Sequence, residues 1–194
     1  RGDLGRGDAL VAPGAYPTSY RLDVALEELE PIPHDARMQV HLGTAHTAAR
    51  VVRAGDRFAQ LRLAVPVVAA RGDRVILRGE TTVGGGTVLD PAPPRHRDET
   101  RMELLERGEV AATIHAPVLV ESLRFVLDGE PDGVLRAGPW AFSAQWLAAL
   151  ERELLSRLEA ADPIDPGIPP PSTPWATDVL PLLPFERRGA KLYL

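Results

Sequence analysis

The sequence predicts a mainly β fold that turns helical, an antiparallel β-barrel followed by helical units, and three observations carry that expectation. Between residues 21 and 90, apolar and polar side chains alternate in short runs spaced roughly 8 to 12 residues apart, the signal of half-buried strands. Pro91, Pro93 and Pro94 then remove the amide donors that a strand ladder needs. Beyond them the apolar spacing changes from two residues to three and four.

Residues 1–20 carry turn chemistry around one expected short strand, Ala9 to Val11. In RLDVAL at 21–26, Leu22, Val24 and Leu26 share a face; in RMQVHL at 37–42, Met38, Val40 and Leu42 do so. Further strands are expected over 46–52, 57–68, 74–79 and 82–90, with Ala54-Gly55-Asp56 and Arg71-Gly72-Asp73 as turns. This punctuation suits a closed barrel or a sandwich. Gly84-Gly85-Gly86 in the last strand predicts a bulge or tight bend at a barrel corner.

The second half opens with Thr100 and Glu103, a capping-box pair for a short helix that Gly108 closes. Pro117 introduces a second helical candidate, VLVESLRFVLDG, ending at Gly129, and GVLRAGPWAFS reads as a hairpin. Helix, helix, hairpin is the order of a small winged-helix unit. Ser143 is the expected N-cap of the longest helix, 144–161, whose Leu147, Leu150, Leu154 and Leu158 share one face. DPIDPGIPPPSTP predicts a stiff, extended linker. A short helix from Thr173 and a second hairpin that FERRGAKLYL opens but does not finish repeat the order, which suggests that a second winged-helix unit begins near Trp146.

Composition narrows the class. The chain has 194 residues, 44% hydrophobic but only 5% aromatic, so its core is aliphatic. The absence of cysteine rules out disulfides and thiolate metal sites and points to a reducing compartment. No run approaches the roughly 18 apolar residues of a membrane span. These features predict a soluble, cytoplasmic protein without membrane partners. Arg1 in place of Met, and a last strand that looks cut short at Lys191–Leu194, predict a piece of a larger protein. The net charge of −5 falls entirely in residues 101–194. Seven arginines stand in 41–80 against Asp56, Asp73 and Glu80, which suits either a phosphate-facing patch or a solvated strand face.

Motifs exclude more than they assign. No G-x-x-x-x-G-K-[ST] is present, and the single lysine is Lys191. The glycine triplet leads into Thr87-Val88-Leu89 rather than into a helix whose N-terminus would hold phosphate. Three Arg-Gly-Asp triplets, at 1–3, 6–8 and 71–73, read as turns into strands. His41 and His46 flank a Gly43 turn, and without cysteine or a nearby carboxylate at ligand spacing they predict no metal site. No nucleophile elbow and no paired carboxylates predict catalysis. Arg95-His96-Arg97, held out by the preceding prolines, is a candidate phosphate contact, and Arg187-Arg188 at the second hairpin has the same standing.

TVGGGTVLDPAPPRH, with RGDRVILR at 71–78 and LRLAVPVV at 61–68, resembles the third domain of the bacterial selenocysteine-specific elongation factor, a translational GTPase related to elongation factor Tu. HLGTAHTAARV at 41–51 is similar too, RGDALVAPG at 6–14 looks like the close of the second domain, and residues 175–194 are similar to the helical extension. The resemblance implies four parts: the end of a preceding barrel at 1–14, an elongation-factor-type barrel at 15–97, a winged-helix unit at 98–145 and the start of another at 146–194. It further implies delivery of selenocysteinyl-tRNA to the ribosome, with the selenocysteine-insertion mRNA hairpin gripped by downstream domains. GTP and magnesium would belong to the parent protein, and this chain carries no catalytic, cofactor or metal residue. Charge and position nominate Arg74, Arg78, Arg95, His96 and Arg97 as RNA contacts. The rival reading is a barrel plus winged helix that binds nucleic acid outside translation.

Overall fold

The computed structural model describes residue 5, residues 7–127 and residues 132–194. Six strands fill the first part: β1 (Thr18–Glu28), β2 (Ala36–Leu42), β3 (Ala45–Ala54), β4 (Phe58–Val68), β5 (Arg74–Arg78) and β6 (Thr82–Asp90). They close into a barrel in the order β1-β4-β3-β2-β5-β6, every pair antiparallel. Closure leaves no unpaired edge and encloses an aliphatic core that includes Leu22, Val24, Val40, Val51, Leu61 and Leu77. The period-two reading therefore places all six barrel strands. The expected strand at Ala9–Val11 does not form; those residues are exposed and irregular. Of the Arg-Gly-Asp triplets, 71–73 is the turn before β5, with Gly72 at φ 87°, and the other two fall wholly or partly outside the described residues.

The glycine triplet is neither bulge nor corner. Gly84, Gly85 and Gly86 stay in register with both neighbours, and the register shifts flank them, at Asp23/Val24 on β1 and at Leu77/Arg78 on β5. Their role is close approach: a Cβ on Gly85 would lie 2.4 Å from the Val75 carbonyl oxygen, and one on Gly86 would lie 2.3 Å from that of Ala25.

Helix α1 (Glu99–Glu106) is capped by Asp98, whose side chain accepts from the Arg101 amide at 3.2 Å. It carries the fully buried Met102 and Leu105 and belongs to the same compact unit as the barrel, which extends to Glu109 and takes in a short segment from Phe125. The sequence reading ends the barrel domain at 97; the helix joins it because Arg71 donates to the Leu105 carbonyl at 2.6 Å, and Arg101 reaches Asp23 and Asp90.

The second compact unit holds residues 110–124 and the described chain from 132. Much of the long helix expected from Pro117 is absent: β7 (Val118–Leu119) leads into a single turn, α2 (Val120–Leu123), and residues 128–129 lie outside the described set. The β-branched Val118 favours extended backbone, and Val118 and Leu119 pair with Ala141 and Trp140. The expected hairpin forms as β8 (Val134–Ala137) and β9 (Trp140–Ser143), giving a sheet ordered β7-β9-β8.

Helix α3 (Ala144–Glu159) starts where Ser143 predicts. The Ser143 hydroxyl accepts from the Trp146 amide and donates to the Ile114 carbonyl, both at 3.1 Å. Ser143→Ala should therefore cost about 1–2 kcal/mol, read as a lowered thermal midpoint of tryptophan fluorescence; an unchanged midpoint would show that the cap is idle. Leu150, Leu154 and Leu158 of α3 pack with Phe142, Val179 and Leu192 in one core. Trp146 meets Phe142 and Trp175 edge-on at 5.6 and 5.0 Å.

The proline-rich segment is not a free spacer. Ile168 is buried, and its amide and carbonyl pair with Leu192 at 3.0 and 2.8 Å. The expected last helix shrinks to α4 (Ala176–Val179) and a 3-10 turn, and the final hairpin forms from β10 (Glu186–Arg188) and β11 (Lys191–Tyr193). No helix among the described residues is long and apolar enough to cross a membrane.

Candidate nucleic-acid interface

The alternation that turns Leu22, Val51 and Leu61 into the barrel turns Arg21, Arg50 and Arg62 outward. Of the seven arginines between 41 and 80, most are committed to the fold. Arg53 donates to Glu28 Oε1 at 2.6 Å and to the carbonyls of Ile32, Gly55 and Asp56. Arg57 pairs with Glu106 at 2.7 Å, and Arg71 donates to the Val126 and Leu105 carbonyls at 2.7 and 2.6 Å.

The five nominated residues do not converge. Arg74 is exposed, but its guanidinium forks onto Glu27 at 2.8 and 2.5 Å and reaches Thr87 Oγ1 at 3.1 Å. Arg78, on the same strand, is exposed opposite Gln39 of β2. Arg95 stands at an open depression of about 460 Å³ shared with Tyr20, Arg21, Arg62 and Leu63, which places it beside β1 and β4. In the closed order β4 lies three strands from β5 either way round, so Arg95 and the β5 pair occupy opposite sides of the barrel. His96 is exposed, and Arg97 donates to the Arg53 carbonyl at 2.9 Å. At the second hairpin, Arg188 pairs with Glu186 at 2.5 Å and lies over the Tyr193 ring, while Arg187 donates to the Gly189 carbonyl at 3.4 Å.

What the sequence did not reveal is register. Antiparallel pairing sets Arg37 opposite Arg50, Arg50 opposite Arg62, and Arg62 opposite Arg21. The residues come from four strands separated by different loop lengths, so no linear spacing announces the row. The histidines behave similarly. His41 and His46 are direct partners across the β2–β3 hairpin, their rings stacked with centroids 5.7 Å apart.

Register also assembles a carboxylate pair where the sequence suggests none. Asp23 on β1 is the partner of both Gln60 on β4 and Asp90 on β6. Gln60 Nε2 donates to Asp23 Oδ1 at 3.1 Å and to the Pro94 carbonyl at 3.0 Å. Arg101 donates to Asp90 Oδ2 at 2.5 Å and to Asp23 Oδ2 at 3.4 Å. Burial pushes the Asp23 carboxyl from 3.8 up to about 7; the Gln60 bond opposes it, the Asp90 charge adds to it, and Arg101 and Arg21 pull it back. Asp23 and Asp90 are 1% and 2% exposed, so the pair has no opening to a substrate and serves to hold α1 on the barrel.

Residues 19–95 match the family described as the β-barrel domain of the selenocysteine-specific elongation factor. A search of curated protein sequences finds no match. Among solved structures, the chain is similar to a bacterial selenocysteine-specific elongation factor, with a TM-score of 0.62 over 93% of this chain at 15% identity. The chain spans 35% of that structure's length, and the likeness at this identity is one of fold.

Proposed function

Taking residues 19–95 as a β-barrel of the selenocysteine-specific elongation factor family, we propose that this chain helps its parent protein carry selenocysteinyl-tRNA to the ribosome. The barrel holds the acceptor and T-stem side of the tRNA through shape and phosphate contacts rather than base reading. The family match of the barrel carries this reading, and the outward Arg95 suits it. Each exposed phosphate contact contributes on the order of 1 kcal/mol and weakens steeply with salt. Residues 98–145 and 146–194 are proposed as winged-helix pieces that link the barrel to mRNA-gripping domains, and residues 1–14 as the close of a preceding barrel. GTP and magnesium act in the parent's nucleotide-binding domain, and the setting is the cytoplasm.

Gel retardation of the selenocysteine tRNA, an ordinary elongator tRNA and duplex DNA tests the proposal. Tighter binding of the selenocysteine tRNA is expected. Preference for duplex DNA would overturn the reading in favour of a nucleic-acid-binding module outside translation.

A further inference from the structure

The cross-strand arginine row has a cost that the barrel itself does not repay. Arg37, Arg50, Arg62 and Arg21 are direct neighbours across β2, β3, β4 and β1, and like charges facing each other on paired strands oppose the pairing. The acid that meets the row at the surface is Asp35, which pairs with Arg50 at 2.5 Å. Arg50 holds its carboxyl below the usual range, with smaller pulls from His34 and Arg62. Asp23, near Arg21, is buried and already engaged by Gln60 and Arg101. Among the described residues, Arg62 finds only the Gln60 amide oxygen, at 3.4 Å, and the Arg21 Nε is buried without a partner. The row therefore carries a standing positive excess, in a chain whose net charge is −5.

Its shape limits what can answer that charge. At about 4.8 Å between strands the row runs for roughly 15 Å, longer than a single phosphate group. Two open depressions share Arg62 and Leu63: one is bordered by Arg37 and Arg50 and floored by Ala48 and Ala64, and the other is reached by Arg95. Alanines at the floor let a polyanion approach the sheet closely. Among the described residues lining the two depressions Tyr20 is the aromatic one, too little to stack a series of unpaired bases, so the ligand chemistry is that of a duplex backbone rather than a single strand.

We infer that Arg37, Arg50, Arg62 and Arg21, extended by Arg95, form a track for the phosphate backbone of duplex RNA. The inference rests on the tRNA-holding role proposed above. It places the RNA on the β2-β3-β4-β1 face, away from Arg74, which Glu27 engages on β5.

The test is fluorescence anisotropy of the 194-residue chain with an RNA hairpin copying the acceptor and T stems, titrated across a range of potassium chloride. Arg62→Gln should lower the slope of log affinity against log salt by about one unit, equivalent to roughly tenfold near 0.1 M, and Arg50→Gln with Arg62→Gln by about two. Arg62→Lys should keep most of the slope, because a phosphate accepts either cation. Arg62→Gln should leave the melting temperature unchanged or raised, since it relieves repulsion, which separates lost binding from lost folding. If these variants bind like wild type while Arg74→Gln loses slope, the track is wrong and the tRNA-holding role survives. If the wild-type chain does not bind the hairpin at all, both fall.

Discussion

Gly86→Ala is expected to destabilise the barrel by about 3 kcal/mol or more and to lower its melting temperature by roughly 10–20 °C. The added Cβ would stand 2.3 Å from the Ala25 carbonyl oxygen, a distance that real Cβ atoms do not adopt, and a tight 3.2 Å from its carbon. Ala25 has nowhere to retreat, because β1 is paired on its other side to β4, where Ala25 faces Phe58. Relief requires moving a strand in a closed barrel, and that movement is shared by every neighbour around the ring. Gly43→Ala is the control. Gly43 has φ 56° but no atom within 4 Å of a new Cβ, so its cost should stop at about 1–2 kcal/mol of left-handed strain. Circular dichroism melts of the two variants decide the matter; equal losses would mean that the triplet is present for backbone freedom and not for close approach.

That contrast shows where the sequence was legible. Alternation in RLDVAL, RMQVHL and RVILRG locates strands because a half-buried sheet demands it, and the barrel core follows from the same parity. Ser143 and the leucines of α3 were equally readable, since capping and a helical stripe are local chemistry. VLVESLRFVLDG was not, because an apolar run rich in β-branched residues is ambiguous until its neighbours are known, and here Ala141 and Trp140 claim its start as strand. The proline-rich linker misled for a related reason: extended backbone is also what a bridge to Leu192 needs. The candidate surface depended most on what sequence omits. Arg74 looked free, and Glu27 was the reason it is not; Arg62 looked ordinary, and its partners Arg50 and Arg21 on either side are what single it out.

Arg101→Ala should cost about 3–5 kcal/mol near pH 8 and distinctly less near pH 5. Arg101 is the cation bridging Asp23 and Asp90, and its loss leaves two buried carboxylates facing each other with Gln60 as the remaining donor to Asp23. The pH dependence follows from Asp23, whose carboxyl is raised by burial from 3.8 to about 7 in the fold. A folded state that binds its proton more tightly than the unfolded chain draws stability from that proton. The contribution is full below pH 3.8, declines by at most about 1.4 kcal/mol per unit as pH rises, and is gone once pH passes about 7. Near pH 5 the folded Asp23 is protonated, so removing Arg101 strands one charge; near pH 8 it strands two. Urea denaturation of wild type and Arg101→Ala at both pH values reads the difference directly. Asp23→Asn keeps an oxygen for Gln60 and removes the titration, so it should flatten the dependence in both backgrounds. Equal costs of Arg101→Ala at the two pH values would show that Arg101 anchors α1 by packing and that the buried carboxylates do not set its worth.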